Sequence, residues 1–468
     1  MYPMTMRAAL LACGAATAVA TIPAAHAQTA GQSAREAALE ARLARLEARV
    51  AALTEQLAAA RAEQAPAPRA PSVPAASAPT ALPVAVASAR PAPAAPPATT
   101  SGTRVTLSGF IKFNASVSRY ADGAIAANSG GRDFYVPGTI PVGGTSEGAS
   151  TEFSAKQTRL VAGLTTPVDG ETLSGLVEID FQSSPGAGNA RITNAYAPAL
   201  RRTWLSYRGF LAGQEWTNFQ YLPALPETTD FLGPSEGTVF VRQAQLRYTH
   251  KLADRMSLSV AAENPATTVA IAGSAAVVEA GTDRAPDLTA RFTADIGGGS
   301  QLSLAGVSRW LTSDQSGMHD DGFGWGVSAA GKLRFGPAGR HDLRFMVTHG
   351  RGIGRYVGLN LAPDAILVPG AQPRLETVGV TAGFAALRIG WTPSLRSNLG
   401  ASYQTIDYPS GFATPNANAS AWSAMANLFY TPLDHLDLGI ELRRGERELV
   451  SGAAGTLERL EVSARYGF

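Results

Sequence analysis

Apolar residues fall on alternate positions along much of the chain, and the pattern is clearest at its end. Leu460, Val462, Ala464, Tyr466 and Phe468 alternate there with polar residues and one glycine. A period of two predicts a β-strand with one apolar and one polar face. A terminal strand of this kind favours an outer-membrane β-barrel over an ordinary sheet strand, because barrels place aromatic residues at the membrane rim.

Tight turn signals divide residues 104–468 into strands. The signals are 166–170, 207–209, 250–254, 295–299, 336–339, 392–394 and 431–434. Longer connections are expected near residues 135, 190, 228, 275, 316, 362, 412 and 452. Short turns alternating with long loops predict an all-β transmembrane barrel of about sixteen antiparallel strands, each of roughly ten residues, with both termini on the periplasmic side. A soluble all-β array would require a repeating sequence unit, and none is visible.

A different period marks residues 33–64. Ser33 and Glu36 form a capping box, which predicts the start of a helix. Its apolar seam repeats at steps of four and three and consists of Leu39, Leu43, Leu46, Val50, Leu53 and Leu57. Such a heptad predicts a coiled coil that associates with copies of itself. The alternative is a helix packed on the periplasmic end of the barrel.

Residues 1–27 are expected to form a secretory signal peptide. Arg7 precedes a short apolar run, and Ala25–Ala27 matches an A-x-A cleavage site. Cys13, the single cysteine, lies too close to Arg7 for a lipoprotein signal and would leave with the peptide, so no disulfide is expected. Residues 65–103 are rich in proline and alanine and predict a disordered, extended linker before the barrel at 104–468.

Composition and motifs exclude several functions. The formal net charge of +2 argues against a nucleic-acid partner, which needs a concentrated basic excess. The chain contains no recognisable catalytic signature, and we expect neither an enzyme nor a cofactor. The sequence His319-Asp320-Asp321 is better explained as a solvated loop than as a metal site. Glycines in 322–326 lie in a predicted strand rather than in a phosphate-binding turn.

Strand parity assigns polar side chains to the lumen, because apolar neighbours face lipid. In either register, one member of the Arg201-Arg202 pair faces inward. The predicted pore-lining residues are Arg159, Arg201, Arg202, Gln245, Arg247, Arg291, Arg344, Arg443 and Arg465. Glu178, Asp180, Glu441 and Glu461 are also expected to face inward. Inward guanidinium groups favour the passage of small anions. The alternative is that arginines and carboxylates only neutralise each other within a wide pore.

The third long connection, Thr217–Thr238, combines three prolines with several apolar residues and with Glu227, Asp230 and Glu236. This composition predicts a packed loop that folds into the barrel. There it would narrow the pore, and its three acidic residues would face basic wall residues. An ordinary external loop is the alternative.

Several stretches resemble the DcaP-like family of trimeric outer-membrane porins. They are Leu107–Lys112, Gly213–Phe219, Pro226–Pro234, Phe240–Gln243 and Glu263–Pro265. The order of signal peptide, heptad helix, Pro/Ala linker and barrel is also similar. The resemblance covers nearly the whole mature chain except residues 119–150. It implies a homotrimer of sixteen-stranded barrels that passes small anionic solutes such as dicarboxylates.

These patterns together predict a passive porin in the outer membrane of a Gram-negative cell, with its N-terminal helix in the periplasm. The expected partners are further copies of the chain, outer-membrane lipid, lipopolysaccharide and small anionic solutes. A phosphate-selective or a general, non-selective porin is the alternative within this class. A structural anchor whose barrel does not transport is the alternative of another class.

Overall fold

In a computed structural model, the described residues are 99–100, 102–126, 129–182, 196–315, 317–410 and 414–468. Sixteen barrel strands, β1 to β16, dominate this part of the chain. They are Thr103–Tyr120, Ala149–Ser154 with Arg159–Val168, Glu171–Asp180, Ala199–Tyr207, Phe210–Trp216, Arg242–Ala253, Met256–Glu263, Asp287–Gly297, Ser300–Gln315, Met318–Phe335, His341–Arg351, Gly379–Gly390, Leu395–Asp407, Asn418–Leu433, Leu436–Leu449 and Ala454–Gly467. A two-residue strand, Thr99–Thr100, precedes them and pairs with the start of β1.

The strands form one closed antiparallel barrel. Each strand pairs with its neighbours in sequence, and β16 pairs with β1 from Phe110↔Gly467 to Tyr120↔Leu457. Closure continues to the last residue, because Gly109 and Phe468 exchange two backbone hydrogen bonds of 3.0 and 3.1 Å. The predicted sixteen-stranded barrel is therefore confirmed. All seven predicted tight turns connect consecutive strands at one rim, which we call the short-turn rim.

Two connections differ from the sequence-based expectation. The long loops predicted near residues 316 and 452 are short turns, because β9 ends at Gln315, β10 begins at Met318, and β15 and β16 are separated only by residues 450–453. The residues assigned to those loops belong instead to the flanking strands, which are up to 18 residues long. The sequence His319-Asp320-Asp321 accordingly lies in β10 and not in a loop, and Asp320 accepts a hydrogen bond from the backbone of Leu375 at 2.6 Å.

Side chains alternate between the two faces of the barrel wall. On β16, Leu460, Val462 and Tyr466 are exposed on the outer surface, whereas Glu461 and Ser463 are buried inside. The same alternation holds in β6, where Leu246 is 57% exposed and Gln245 only 6%. The outer surface is therefore an apolar band, as the period of two predicts.

Three long connections fold into or over the barrel: L1 (residues 121–148), L3 (217–241) and L6 (352–378). L1 contains a short helix, α1 (Gly130–Asp133), and the 3-10 turn Pro137–Thr139. Other 3-10 turns are Leu222–Ala224 in L3, Gly354–Tyr356 in L6 and Pro337–Gly339 between β10 and β11. L6 and L4 (264–286) also build a small sheet from Thr268–Ile271, Val277–Glu279, Ala365–Val368 and Arg374–Thr377.

A hydrophobic core fills part of the barrel interior. Phe219 and Val239 from L3 pack with Ile353 from L6 and with Met346 and Phe384 on the inner wall. All of these side chains are buried, at 4% exposure or less. L6 is also fixed by an ion pair of 2.8 Å between its Asp364 and Arg309 of β9. The inner wall of β9 to β14 is therefore largely covered by loops, and the polar lumen lies along the remaining strands.

The predicted signal peptide, coiled-coil helix and nearly all of the Pro/Ala linker lie outside the described residues, as does most of the connection near residue 190. Within the described residues, no helix is long and apolar enough to cross a membrane.

Candidate functional site

L3 crosses the barrel interior from the β5–β6 wall to the opposite side. The backbone N–H of Thr217 donates to the carbonyl of Val241 at 3.0 Å, which closes the neck of the loop. Beyond the neck, side chains from five other strands donate to L3 carbonyl oxygens. These pairs are Arg291 with Gln220, Arg344 with Leu225, Asn427 with Glu227, Lys112 with Thr229, and Arg443 with Gly233. L3 thus lies across the lumen and divides it.

Glu227 is the acidic residue of L3 that remains at the edge of open space. It binds Arg396 of β13 bidentately, at 2.7 and 2.5 Å, and its side chain is 31% exposed. Arg396 also binds Asp437 of β15 at 2.9 Å. Parity analysis missed Arg396, although an arginine two positions after the predicted turn at 392–394 was a visible signal.

Asp230 is buried, at 4% exposure, and holds the tip of L3 in shape. Its carboxylate accepts from the backbone N–H groups of Tyr135, Leu232 and Gly233 at 2.8, 3.1 and 2.9 Å. Burial alone would raise the pKa of Asp230, but Arg443 and these donors outweigh it, so the pKa lies below the usual value for aspartate. Asp230 is therefore a charged anchor.

Glu236 is fully buried between L3, L1 and the wall. It accepts from the Tyr135 hydroxyl at 2.5 Å and from the Ser423 hydroxyl at 2.9 Å. Burial raises the pKa of Glu236 above the usual value for glutamate, despite these donors. The structure thus places two of the three predicted constriction carboxylates within packed contacts rather than in the lumen.

An arginine cluster lines the wall formed by β2 to β5. Arg201 binds Asp180 at 2.7 Å, Arg202 binds Glu215 at 2.6 Å, and the Arg159 guanidinium lies 3.2 Å from a carboxylate of the same wall, Glu178. The carboxylates in this cluster neutralise most of its charge.

Both members of the Arg201-Arg202 pair reach this cluster. The register of β3 and β4 shifts between Glu178 and Ile179, because Arg202 pairs with Glu178 and Leu200 with Ile179. This leaves Arg201 as an extra residue in a β-bulge, which turns two consecutive side chains to one face. Parity alone required only one inward guanidinium, and the bulge supplies the second.

An aromatic strip on L3 and its flanks lies against these arginines. Phe231 packs on Phe240 with ring centroids 6.2 Å apart, and Phe240 packs on Trp216 at 4.7 Å. The Arg201 guanidinium lies 4.7 Å from the Phe231 ring, within the range of a cation–π contact. Aromatic side chains on one side and guanidinium groups on the other therefore bound this part of the lumen.

Two adjoining cavities lie on the short-turn side of L3 and share Arg202, Trp216 and Leu222 among their lining residues. Their volumes are about 540 and 440 Å³. Arg247 and Arg291 line the larger one, and Arg159 and Arg465 line the smaller one. These cavities form a polar vestibule whose walls carry most of the arginines that L3 does not cover.

The larger cavity contains donors that have no protein partner. Among the described residues, neither Arg247 nor Arg291 has a carboxylate within ion-pair distance, and the Nε of Arg291 has no acceptor. Gln220 of L3 is fully buried at the cavity wall, and neither its side-chain nitrogen nor its side-chain oxygen is hydrogen-bonded. Sequence reasoning missed Gln220, because only the docked position of L3 brings it beside the two arginines.

The remaining predicted site residues support L3 or line its edge. Arg344 binds Asp342 at 2.6 Å as well as the L3 backbone, and Arg443 is buried against Glu441 at 2.8 Å. Gln245 donates to the Trp216 carbonyl at 2.9 Å. Arg465 stays 44% exposed and lies 4.4 Å from the Phe110 ring. In the described part of the chain, no cluster of three histidine, cysteine or acidic residues is arranged to hold a metal.

Comparisons with known proteins agree with this architecture. The sequence profile of the family described as DcaP outer membrane protein matches residues 89–468. The crystal structure of the outer membrane channel DcaP of Acinetobacter baumannii is similar, with a TM-score of 0.66 and 26% identity over 79% of this chain and 99% of that one.

More distant structures were also found. OmpT of Vibrio cholerae has 11% identity and a TM-score of 0.49 over 80% of this chain and all of that one. Salmonella typhi OmpF in complex with daunomycin has 12% identity and a TM-score of 0.48 over 79% and 98%. No curated protein sequence matches. Because the family profile covers most of the sequence and the whole barrel, the chain belongs to the DcaP outer membrane protein family.

Proposed function

We propose that the protein is an outer-membrane porin through which small hydrophilic anions, in particular dicarboxylates, diffuse passively. The observation that carries the proposal is that Arg247 and Arg291 line the larger cavity and, among the described residues, neither has a carboxylate within ion-pair distance, although Arg291 also donates to the Gln220 carbonyl. A buried or half-buried polar group without a partner is costly, so a passing anion that accepts its hydrogen bonds is favoured there.

The spacing of the two arginines favours a solute with two carboxylates. Arg247 pairs with Ala261 and Arg291 with Ser259, so the two residues lie on either side of β7. Two inter-strand spacings separate the arginine backbones by roughly 10 Å. Both side chains line the same cavity, so one small dicarboxylate can contact both. Guanidinium groups bind carboxylates bidentately, and weak, repeated sites let the solute leave again.

The wall is not simply a basic surface, because several of its arginines form ion pairs with carboxylates. Arg159, Arg201 and Arg202 are matched by Glu178, Asp180 and Glu215, so they contribute polarity and hydration rather than net charge. Selectivity therefore depends on the few guanidinium groups that have no carboxylate. A general, non-selective pore would lack this imbalance. A phosphate-selective pore remains the second candidate, since the same unpaired donors also suit phosphate.

The first test is the reversal potential of purified protein in planar bilayers under a KCl gradient. Two unit charges about 4 Å apart in water interact with about 1 kcal/mol. Removing both guanidinium groups in the double variant Arg247→Gln with Arg291→Gln should therefore lower the anion-to-cation permeability ratio about fivefold or more. In the native protein, succinate should block the chloride current more strongly than phosphate does. In the double variant, the block by succinate should be weaker than in the native protein. Arg208→Gln, at an exposed turn of the short-turn rim, is the matched control.

Native cation selectivity, or an unchanged ratio in the double variant, would contradict the anion proposal. Absence of any conductance from folded protein would favour the anchor hypothesis instead.

We further propose a homotrimer whose predicted N-terminal helices, residues 33–64, associate in the periplasm. The heptad seam and the family membership support this assembly. The described strands place both ends of the barrel domain at the short-turn rim, which is the periplasmic rim in bacterial barrels.

A further inference from the structure

Three charged residues form a row on the outer surface of the barrel. Arg444 of β15 is directly opposite Glu458 of β16, and Glu458 is directly opposite Arg119 of β1. All three side chains are exposed on the membrane-facing side, and Arg444 and Glu458 are 56% and 57% exposed. The Arg444–Glu458 ion pair measures 3.4 Å, whereas Arg119 has no acceptor within the described residues. The row therefore has a net charge of +1 and one guanidinium that is free to bind.

The row marks the upper boundary of the apolar band. One step closer to the short-turn rim, the residues that face outward are apolar and exposed. They are Leu442 on β15, Leu460 on β16 and Val117 on β1. On β1, exposed apolar residues extend from Val105 to Val117. Twelve steps of about 3.3 Å on a strand tilted by about 40° rise roughly 30 Å, which spans the apolar band of such barrels, about 25 Å tall.

At this height on the barrel, the row lies away from the centre of the bilayer. Charged side chains on the lipid face are costly at the midplane and cost little near the interfaces. Arg119, Arg444 and Glu458 lie near the long-loop ends of their strands, so they meet the headgroups of the outer leaflet.

A depression beside the row offers space for an acyl chain. It has a volume of about 590 Å³ and is lined by Val117, Ala424, Ala426, Leu442 and Leu460 together with the three charged residues. The small alanines of β14 form its floor. An apolar channel that leads up to arginines matches a lipid whose chains end at an anionic headgroup.

We propose that Arg119 and Arg444 bind the phosphate of an outer-leaflet glycolipid, with one acyl chain of that lipid lying over Ala424 and Ala426. Arginine binds phosphate through two parallel hydrogen bonds. A zwitterionic headgroup has no net negative charge, so it should bind to these arginines more weakly than an anionic one. Glu458 holds Arg444 in place when no lipid is bound and opposes the phosphate when one is. The site is independent of the selectivity of the pore.

The test is native mass spectrometry of the delipidated full-length protein, titrated with bisphosphorylated lipid A or with the same lipid after enzymatic dephosphorylation. Each lost charge-assisted contact corresponds to about tenfold in affinity, so Arg119→Gln with Arg444→Gln should weaken binding of the phosphorylated lipid by about a hundredfold. Glu458→Gln should strengthen it, because it removes the opposing carboxylate. Arg208→Gln, on the opposite rim, should bind as the native protein does.

Equal binding of both lipids, or an unchanged affinity in the double variant, would overturn the proposal. Dissociation of the oligomer in the double variant, without loss of lipid, would also overturn it, because this face would then contact a second copy. If the double variant does not fold, the sign of the Glu458→Gln effect decides.

Discussion

At the level of single residues, L3 contains two buried carboxyl groups whose pKa values are shifted in opposite directions. Asp230 accepts three backbone hydrogen bonds near Arg443, so its pKa is lowered and its charged form is stabilised. Glu236 is enclosed by Tyr135 and Ser423 without an ion pair, so burial raises its pKa. Acidification therefore affects the two contacts in opposite directions.

Glu236 should make stability decline as pH rises. A carboxyl group whose pKa is higher in the folded protein binds its proton more tightly there, so its contribution is complete below about 4.5, the value for the unfolded chain, and is lost at higher pH. Glu236→Gln imitates the protonated group at every pH. We expect it to raise the melting temperature at pH 7 by about 1–3 °C relative to the native protein.

The measurement is thermal unfolding in detergent between pH 4 and 8, with Glu171→Gln at an exposed strand end as the control. The difference between Glu236→Gln and the native protein should shrink as the pH falls. A difference that is constant with pH, or a loss of stability at pH 7, would show that folding does not raise the pKa of Glu236.

Strand parity assigns each side chain to one of two faces, because a strand offers only two faces. In the structure, Arg159, Arg247, Arg291 and Arg465 line the two cavities on the short-turn side of L3. Parity gives no information on whether an inward arginine stays open to solvent. That depends on L3, which covers Arg443 and leaves Arg247 uncovered. The composition of L3 predicts that the loop packs inside the barrel, but which wall residues it covers is a tertiary property without a local signal.

At the level of elements, L3 depends on one close backbone contact with the wall. Gly237 lies against Gly383 of β12, so a Cβ atom at Gly237 would overlap the Gly383 carbonyl group. The backbone N–H of Gly237 also donates to the Ser402 hydroxyl at 2.8 Å. A glycine is required here by space and not by an unusual backbone angle.

Gly237→Ala should therefore displace L3 from the wall. Overpacking of this kind costs about 1–3 kcal/mol, and the cost here falls on the loop because the barrel wall is continuous. We expect a lower melting temperature together with larger and noisier single-channel conductance. Gly306→Ala is the control, because a Cβ atom there meets only an ordinary contact at 3.8 Å. An unchanged conductance would mean that L3 does not limit the pore.

Turns were predictable from sequence to the extent that their chemistry is local. Asp169 and Gly170, Arg208 and Gly209, and His435 adopt the positive backbone angles that tight turns require. The connections near residues 316 and 452 were misjudged because strands that extend beyond the membrane keep pairing with each other. Backbone pairing in both hairpins continues past the apolar band, so strand length was underestimated.

At the level of the whole molecule, the barrel has a polar side and a packed side. Hydrophobic residues of L3 and L6 fill the space inside β9 to β14, while charged residues line the rest. The heptad seam of the predicted N-terminal helix offers a direct way to test the proposed assembly of several such barrels.

Leu46→Glu should weaken the proposed trimer, because it places a charge in the middle of the heptad seam. Ala48→Glu adds the same charge on the opposite side of the predicted helix and serves as the control. Native mass spectrometry during heating should show that only Leu46→Glu dissociates at a lower temperature. If Leu46→Glu instead destabilises the barrel without changing subunit number, the helix packs on the barrel, as the alternative holds.

The packed side of the interior has an electrical consequence. Hydrocarbon polarises weakly, so field lines from an ion in the lumen, and from the membrane potential, are confined to the narrow aqueous region along the polar wall. An anion therefore interacts with Arg247 and Arg291 more strongly than it would in a tube filled with water throughout. In the proposed anion pore, two guanidinium groups without carboxylate partners would then be enough to bias the current, and salt would screen that bias only weakly.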